Sequence, residues 1–118
     1  MWKLKPIFWE NSWVPSLLSR IAPISIKAIT LGFVVMSKGK IDKRTRLHET
    51  IHFQQYLETL FVGFIFIYTW DYVRGCLKYK TGAEAYLNIR AEIEAYENDE
   101  DENYLRNRKR YRWLRGRR

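Results

Sequence analysis

This sequence predicts an α+β fold, and three observations carry that reading. Residues 24–36 are rich in β-branched side chains, alternate in part, and end in the turn Ser37-Lys38-Gly39-Lys40, which argues strand. Residues 42 to about 62 and 81 to about 110 repeat apolar side chains at three- and four-residue steps, which argues two main helices. The chain has 118 residues, so a single compact domain with a short sheet of one to three strands is expected.

Each element has its own local reason. Residues 1–23 read as an aromatic N-terminal arm, because Trp2, Phe8, Trp9 and Trp13 are spaced by polar residues and by Pro6 and Pro15. The arm is expected to wrap the domain and pack its aromatics on it, with a helical turn or two over residues 16–21. An arm that meets lipid is the alternative, given the preference of Trp for interfaces. Residues 24–36 are expected as one or two strands, a hairpin bent at Gly32. Asp42 is the expected N-cap of the first main helix. Leu47, Thr50, Phe53 and Leu57 form its apolar stripe, and Leu60 and Phe61 continue it, so the helix is expected to run on through residues 60–70. No charge falls between Glu58 and Asp71. That stretch is well short of the roughly 20 apolar residues that cross a bilayer. A buried helix is the first reading and a membrane-inserted or interfacial segment the second. Thr81 and Glu84 have capping-box spacing. Tyr86, Ile89 or Arg90, Ile93 and Tyr96 then give a second helical face, with a break at Asn88.

Composition narrows the chemistry. The net charge of +8 favours acidic partners. It is uneven: acids crowd residues 92–102 and bases crowd 106–118. Cys76 is the one cysteine, so an intrachain disulfide and a cysteine-based zinc knuckle are both excluded. A metal must therefore use His and carboxylates. No apolar run of signal-peptide length follows the N-terminus, so no secretion signal is read. A cytoplasmic protein is expected, with membrane association as the open question.

His48 and His52 are the only histidines, four residues apart, with Glu49 between them. On a helix that spacing puts both imidazoles on one face, about one turn apart. Both can then reach one zinc ion at about 2.0–2.1 Å. Glu49 sits roughly 100° round the helix from His48, where a carboxylate lies beside the metal without binding it. It can accept a proton from a water whose pKa zinc lowers toward about 7. The ordinary alternative is two histidines on an amphipathic helix with no metal. Zinc hydrolases usually take a third protein ligand. Glu92 and Glu94 are the best candidates, and only one should face the metal, because two residues on a helix point roughly 200° apart.

The run Leu47-His48-Glu49-Thr50-Ile51-His52 resembles the gluzincin branch of the zinc metallopeptidases. In that branch two His and a later Glu hold the metal. Some membrane-associated families similar to this chain carry that later ligand in Glu-x-x-small, often followed by Asp. Glu92-Ile93-Glu94-Ala95 matches Glu-x-x-Ala, with Tyr96 where Asp is common. The resemblance thus implies Glu92 as third ligand, with Glu94 as the alternative. The chain is also similar to short bacterial and phage proteins that combine His-Glu-x-x-His, a nearby Gln-Gln and a later Glu-Ala-Tyr, here Gln54-Gln55 and Glu94-Ala95-Tyr96. The resemblance implies a small zincin-like domain over residues 1–105, one Zn2+ per chain, and hydrolysis of a peptide or protein substrate with Glu49 as catalytic base. Gln55 and Tyr96 are candidates to support the ligands. Tyr86, Tyr96 and Tyr104 are candidates to stabilise an oxyanion. Zincins commonly add peptide substrate to an edge strand, and residues 29–36 are the candidate edge or else an ordinary core strand.

Residues 106–118 read as a basic tail with Tyr111 and Trp113 interleaved. A solvated end that pairs with the preceding acids is the first reading. An anionic membrane surface is the second, and nucleic acid the third. The peptidase reading therefore has two competitors: a non-catalytic zincin-fold protein working at a membrane or as an adaptor, and a basic nucleic-acid-binding protein.

Overall fold

A computed structural model of the chain describes residues 5–15, 28–31 and 34–115. It is α+β, with a three-stranded sheet at one side of a helical assembly. Strands β1 (Ile7–Trp9), β2 (Ala28–Leu31) and β3 (Val34–Ser37) lie in the order β1-β3-β2. β2 and β3 form the expected antiparallel pair, with Thr30 opposite Val35, and β1 joins β3 in parallel, with Phe8 opposite the same Val35.

The aromatic arm is therefore partly a strand, and its rings do not pack as expected. Trp9 and Trp13 are exposed, while Phe8 is half-buried under the Arg46 guanidinium, 4.2 Å from its ring centre. Smaller groups anchor the segment. Pro6, Ser12 and Pro15 are buried, the Ser12 N–H donates to the Ser37 carbonyl, and the Glu10 carboxylate accepts from the Ile41 N–H. Trp2 and the expected turn at 16–21 lie outside the described residues.

Helix α1 (Lys43–Glu58) starts where its cap predicts: the Asp42 carboxylate accepts from the Thr45 N–H at 2.7 Å. Its pattern of burial is not a stripe. Every residue from His48 to Tyr56 is buried, so polar side chains are enclosed on all sides of the helix. Leu47 and Leu57 are only half-buried and Leu60 is exposed. Nor does α1 continue through residue 70. It stops at Thr59, and α2 (Val62–Lys78) departs at 113°. Leu60 and Phe61 make the corner with positive φ, 55° and 64°. Among the described residues no single helix is long and apolar enough to cross a membrane.

Thr81 caps α3 (Gly82–Leu87) through the Glu84 N–H, and the chain breaks at Asn88 as the sequence suggests. Helix α4 (Arg90–Asn98) lacks a side-chain cap of its own. Asp71 of α2 takes that place: it accepts from the Arg90 N–H at 3.2 Å and grips the Arg90 guanidinium at 2.9 and 3.0 Å. The acid that interrupts the apolar run thus ties α2 to the start of α4. A short helix α5 (Tyr104–Asn107) and a 3₁₀ turn (Arg112–Arg115) follow.

The core gathers Tyr56, Phe64, Ile89, Ala91 and Trp113. Phe64 stacks on Tyr56 at 4.0 Å between ring centres and lies 5.6 Å from Trp113. The segment read as a basic tail therefore supplies part of the interior. The Arg108 side chain is buried as well, clamped between Glu58 (2.8 and 2.9 Å) and Glu94 (2.6 and 3.0 Å).

Candidate metal centre

Helix α1 places His48 and His52 one turn apart, both buried, with ring centres 5.0 Å apart. Helix α4 packs against α1 and brings Glu92 between them. His48 Nε2 lies 3.2 Å and His52 Nε2 3.1 Å from the same atom, Oε1 of Glu92. The other ring nitrogens are occupied. His48 Nδ1 is 2.9 Å from Asp99 Oδ2, and His52 Nδ1 is 2.8 Å from Gln55 Oε1.

These partners orient the two rings. Asp99 Oδ2 and Gln55 Oε1 accept only, so each Nδ1 carries its proton, and a ring without a second proton turns a lone pair outward at Nε2. Two lone pairs then converge on a carboxylate oxygen, which is also an acceptor. Three acceptors meeting at one point require a positive centre among them, either a proton or a cation. In the metal-free chain a proton takes that place. Burial opposes charge on His52, but the Glu92 carboxylate outweighs it, with help from Glu49 and Gln55, and the imidazole is pushed up to about 10. Burial alone would raise Glu92, yet the two histidines hold it well below the usual carboxylate range.

His48, Glu49 and His52 form a buried group whose ligand atoms lie within 4.8 Å of one another, and this group could hold a metal ion. Glu92 approaches the two rings more directly, since one oxygen faces both Nε2 atoms. Glu49 is engaged elsewhere: Thr30 Oγ1, on β2, lies 3.1 Å from both its Oε2 and its carbonyl oxygen and donates to one at a time. Burial raises the Glu49 carboxyl, against the pull of His52 and His48.

Glu94 turns away from the histidines. It accepts from Gln55 Nε2 at 2.8 Å, from the Tyr104 hydroxyl at 2.6 Å, and from Arg108. Gln55 therefore links His52 to Glu94, supporting the ring without touching the ligand position. Tyr104 is spent on Glu94 and not on the histidines. Tyr96 sets its ring edge-on to His48 at 4.4 Å, while its hydroxyl pairs with that of Tyr86 at 3.1 Å. Only the first part of residues 29–36 is an edge. β2 ends the sheet, and β3 lies at its centre.

Three groups escaped the sequence reading. Asp99 lies in an acidic run that reads as solvated charge. Its signal was spacing: it follows Glu92 by seven residues, two helical turns, so both lie on one face. The Tyr68 hydroxyl donates to Glu92 Oε2 at 2.6 Å, and burial, together with the Glu92 charge, holds the phenol protonated. Thr30 reaches Glu49 from the sheet. Neither Tyr68 nor Thr30 carries a local pattern that announces it.

No protein-family model, no curated protein and no solved structure matches this chain.

Proposed function

We propose that the chain is a zinc-dependent metallopeptidase of the gluzincin type, with His48, His52 and Glu92 as ligands and Glu49 as general base. One observation carries this reading: both Nε2 atoms face one oxygen of Glu92, while each Nδ1 is tied to its own partner. Two imidazole nitrogens and one carboxylate oxygen are one of the donor sets of catalytic zinc sites, which leave a fourth position open. Bound there, zinc supplies a Lewis acid that polarises a carbonyl and acidifies a water.

The chain's own groups do the rest. Asp99 and Gln55 fix the tautomer and orientation of the histidines. Tyr68 holds Glu92 by Oε2 and leaves Oε1 toward the rings. Glu49 is placed by Thr30 and made more basic by burial, so it takes the proton of the attacking water and returns it to the leaving amine. β2, an edge strand whose Thr30 touches Glu49, offers main-chain groups to an extended peptide.

The first test is metal content by elemental mass spectrometry, with cleavage of a fluorogenic peptide mixture measured beside it. We expect about one zinc per chain, lost in His48→Ala and weakened in Glu92→Ala. Glu49→Gln keeps the zinc and loses turnover. A chain that binds zinc and performs equally with Glu49→Gln has a structural site, which is the adaptor alternative. A chain that takes up no zinc when it is offered removes the hydrolase reading. The nucleic-acid alternative has a weaker footing, because Arg108 and Trp113 of the basic segment are buried.

A further inference from the structure

Helix α2 has two unlike faces. Its inner face packs on the domain through Phe64, Tyr68, Asp71 and Gly75. On its outer face Val62, Ile65, Phe66, Trp70, Val73 and Leu77 are all exposed, Phe66 by 71% and Leu77 by 86%. At roughly 100° per residue these six fall in an arc of about 140° that runs the whole helix. The other two positions in that arc, Thr69 and Cys76, carry no charge. A continuous uncharged stripe along four turns is not a surface that a protein leaves in water without a partner.

The charges beside the stripe identify the partner. Between residues 59 and 83 the exposed charges are Arg74, Lys78 and Lys80, all basic. The one acid, Asp71, is buried against Arg90. An apolar stripe with Trp at its border, on a helix whose own exposed charges, Arg74 and Lys78, are both cations, matches the boundary of an anionic bilayer. We propose that the outer face of α2 lies in the surface of an anionic lipid membrane, with the helix parallel to it. The site assigned is distinct from the basic segment 106–118.

A surface position follows from the anchoring. At 17 residues α2 is about 25 Å long, short of the roughly 30 Å of a hydrocarbon core. Its inner face is fixed by the Asp71–Arg90 pair and by the Tyr68–Glu92 hydrogen bond, so it cannot leave the domain to span. Leu60, at the positive-φ corner just before the helix, is exposed as well.

The test is co-sedimentation of the full chain with vesicles of phosphatidylcholine, alone and mixed with phosphatidylglycerol. We expect binding to the mixed vesicles, weaker binding to the neutral ones, and loss of the difference at high salt. Each basic group near an anionic surface strengthens binding about fivefold. The double variant Phe66→Glu/Val73→Glu should lower partitioning by more than about tenfold while melting like the unmutated chain. As a check that needs no acidic variant, brominated lipid should quench tryptophan fluorescence, and Trp70→Phe should remove part of that quenching. Absence of binding to either vesicle overturns the proposal. So does binding that survives Phe66→Glu/Val73→Glu, which would place the lipid contact in residues 106–118. A solution dimer that this variant dissolves, in a chain that ignores vesicles, would give the face to a second copy instead.

Discussion

Asp99 and Gln55 hold the two histidines by the same atom, Nδ1, but with different strength: one is a charged acceptor, the other a neutral amide. Partners of this kind are worth about 10–100-fold in metal affinity. Asp99→Ala should weaken zinc binding by about that factor and Asp99→Asn by less, since an amide oxygen still accepts; competition with a chromophoric chelator measures both. Glu92 and Glu94 of α4 should separate cleanly in the same assay. Glu92→Ala loses an oxygen that faces both rings, whereas Glu94→Gln should leave the zinc stoichiometry unchanged, because Glu94 faces Gln55, Tyr104 and Arg108. If Glu94→Gln abolishes binding and Glu92→Ala does not, the ligand assignment is reversed. At this scale the sequence was readable where the logic is local. His48, Glu49 and His52 share one helix and one spacing, so they could be found without knowing the fold. Tyr68 and Thr30 could not, because their roles exist only once α2 and β2 have packed against α1 and α4.

Two helix starts were legible because their caps are local: Asp42 and Thr81 each bond the N–H three residues on, as their sequence positions require. Helix α1's end was not. Residues 59–61 contain neither Gly nor Pro, yet Leu60 and Phe61 both adopt positive φ, a conformation costing about 1–3 kcal/mol per residue. Aromatic packing offsets that cost. The Phe61 N–H donates to the Tyr56 carbonyl, its ring sits 5.9 Å from that of Tyr56, and the turn delivers Phe64 onto Tyr56. Tertiary contact thus overrides an apolar pattern that is helical beyond residue 58. The return of α3 against α2 depends on Gly75. A Cβ there would stand 2.9 Å from the Ala85 Cβ and 3.0 Å from its Cα. Gly75→Ala gains helix propensity of about 1 kcal/mol, but it overpacks a contact where backbone must move. We expect a net loss of about 1–2 kcal/mol in urea unfolding. A gain in stability would show that α2 and α3 part easily.

Across the whole molecule, the described parts of residues 106–118 are built into the fold, and Arg108 is the reason. Its side chain is 4% exposed and those of Glu58 and Glu94 are sealed with it, that of Glu58 completely. The same two carboxylates collect the Tyr111 N–H, Trp113 Nε1, the Tyr104 hydroxyl and Gln55. One cation therefore bridges two buried carboxylates that join the end of α1, the middle of α4 and the last described turn, and through Gln55 the network reaches His52. The sequence showed an excess of bases and could not show which one is interior, because burial of Arg108 depends on two acids 50 and 14 residues away. Removing the cation strands both carboxylates in the core. Breaking a buried pair from one side costs about 3–5 kcal/mol, so Arg108→Met should lower unfolding stability by at least that amount. Arg108→Lys should recover only part of it, since an ammonium cannot fork across two carboxylates. The measurement is urea unfolding with a chelator present, so that bound metal does not mask the loss. Deleting residues 106–118 removes Arg108 and Trp113 together and should leave the chain unfolded. A truncated chain that folds, or an Arg108→Met variant as stable as the unmutated one, would mean that the segment is peripheral. In that case its bases would again be free to serve lipid or nucleic acid.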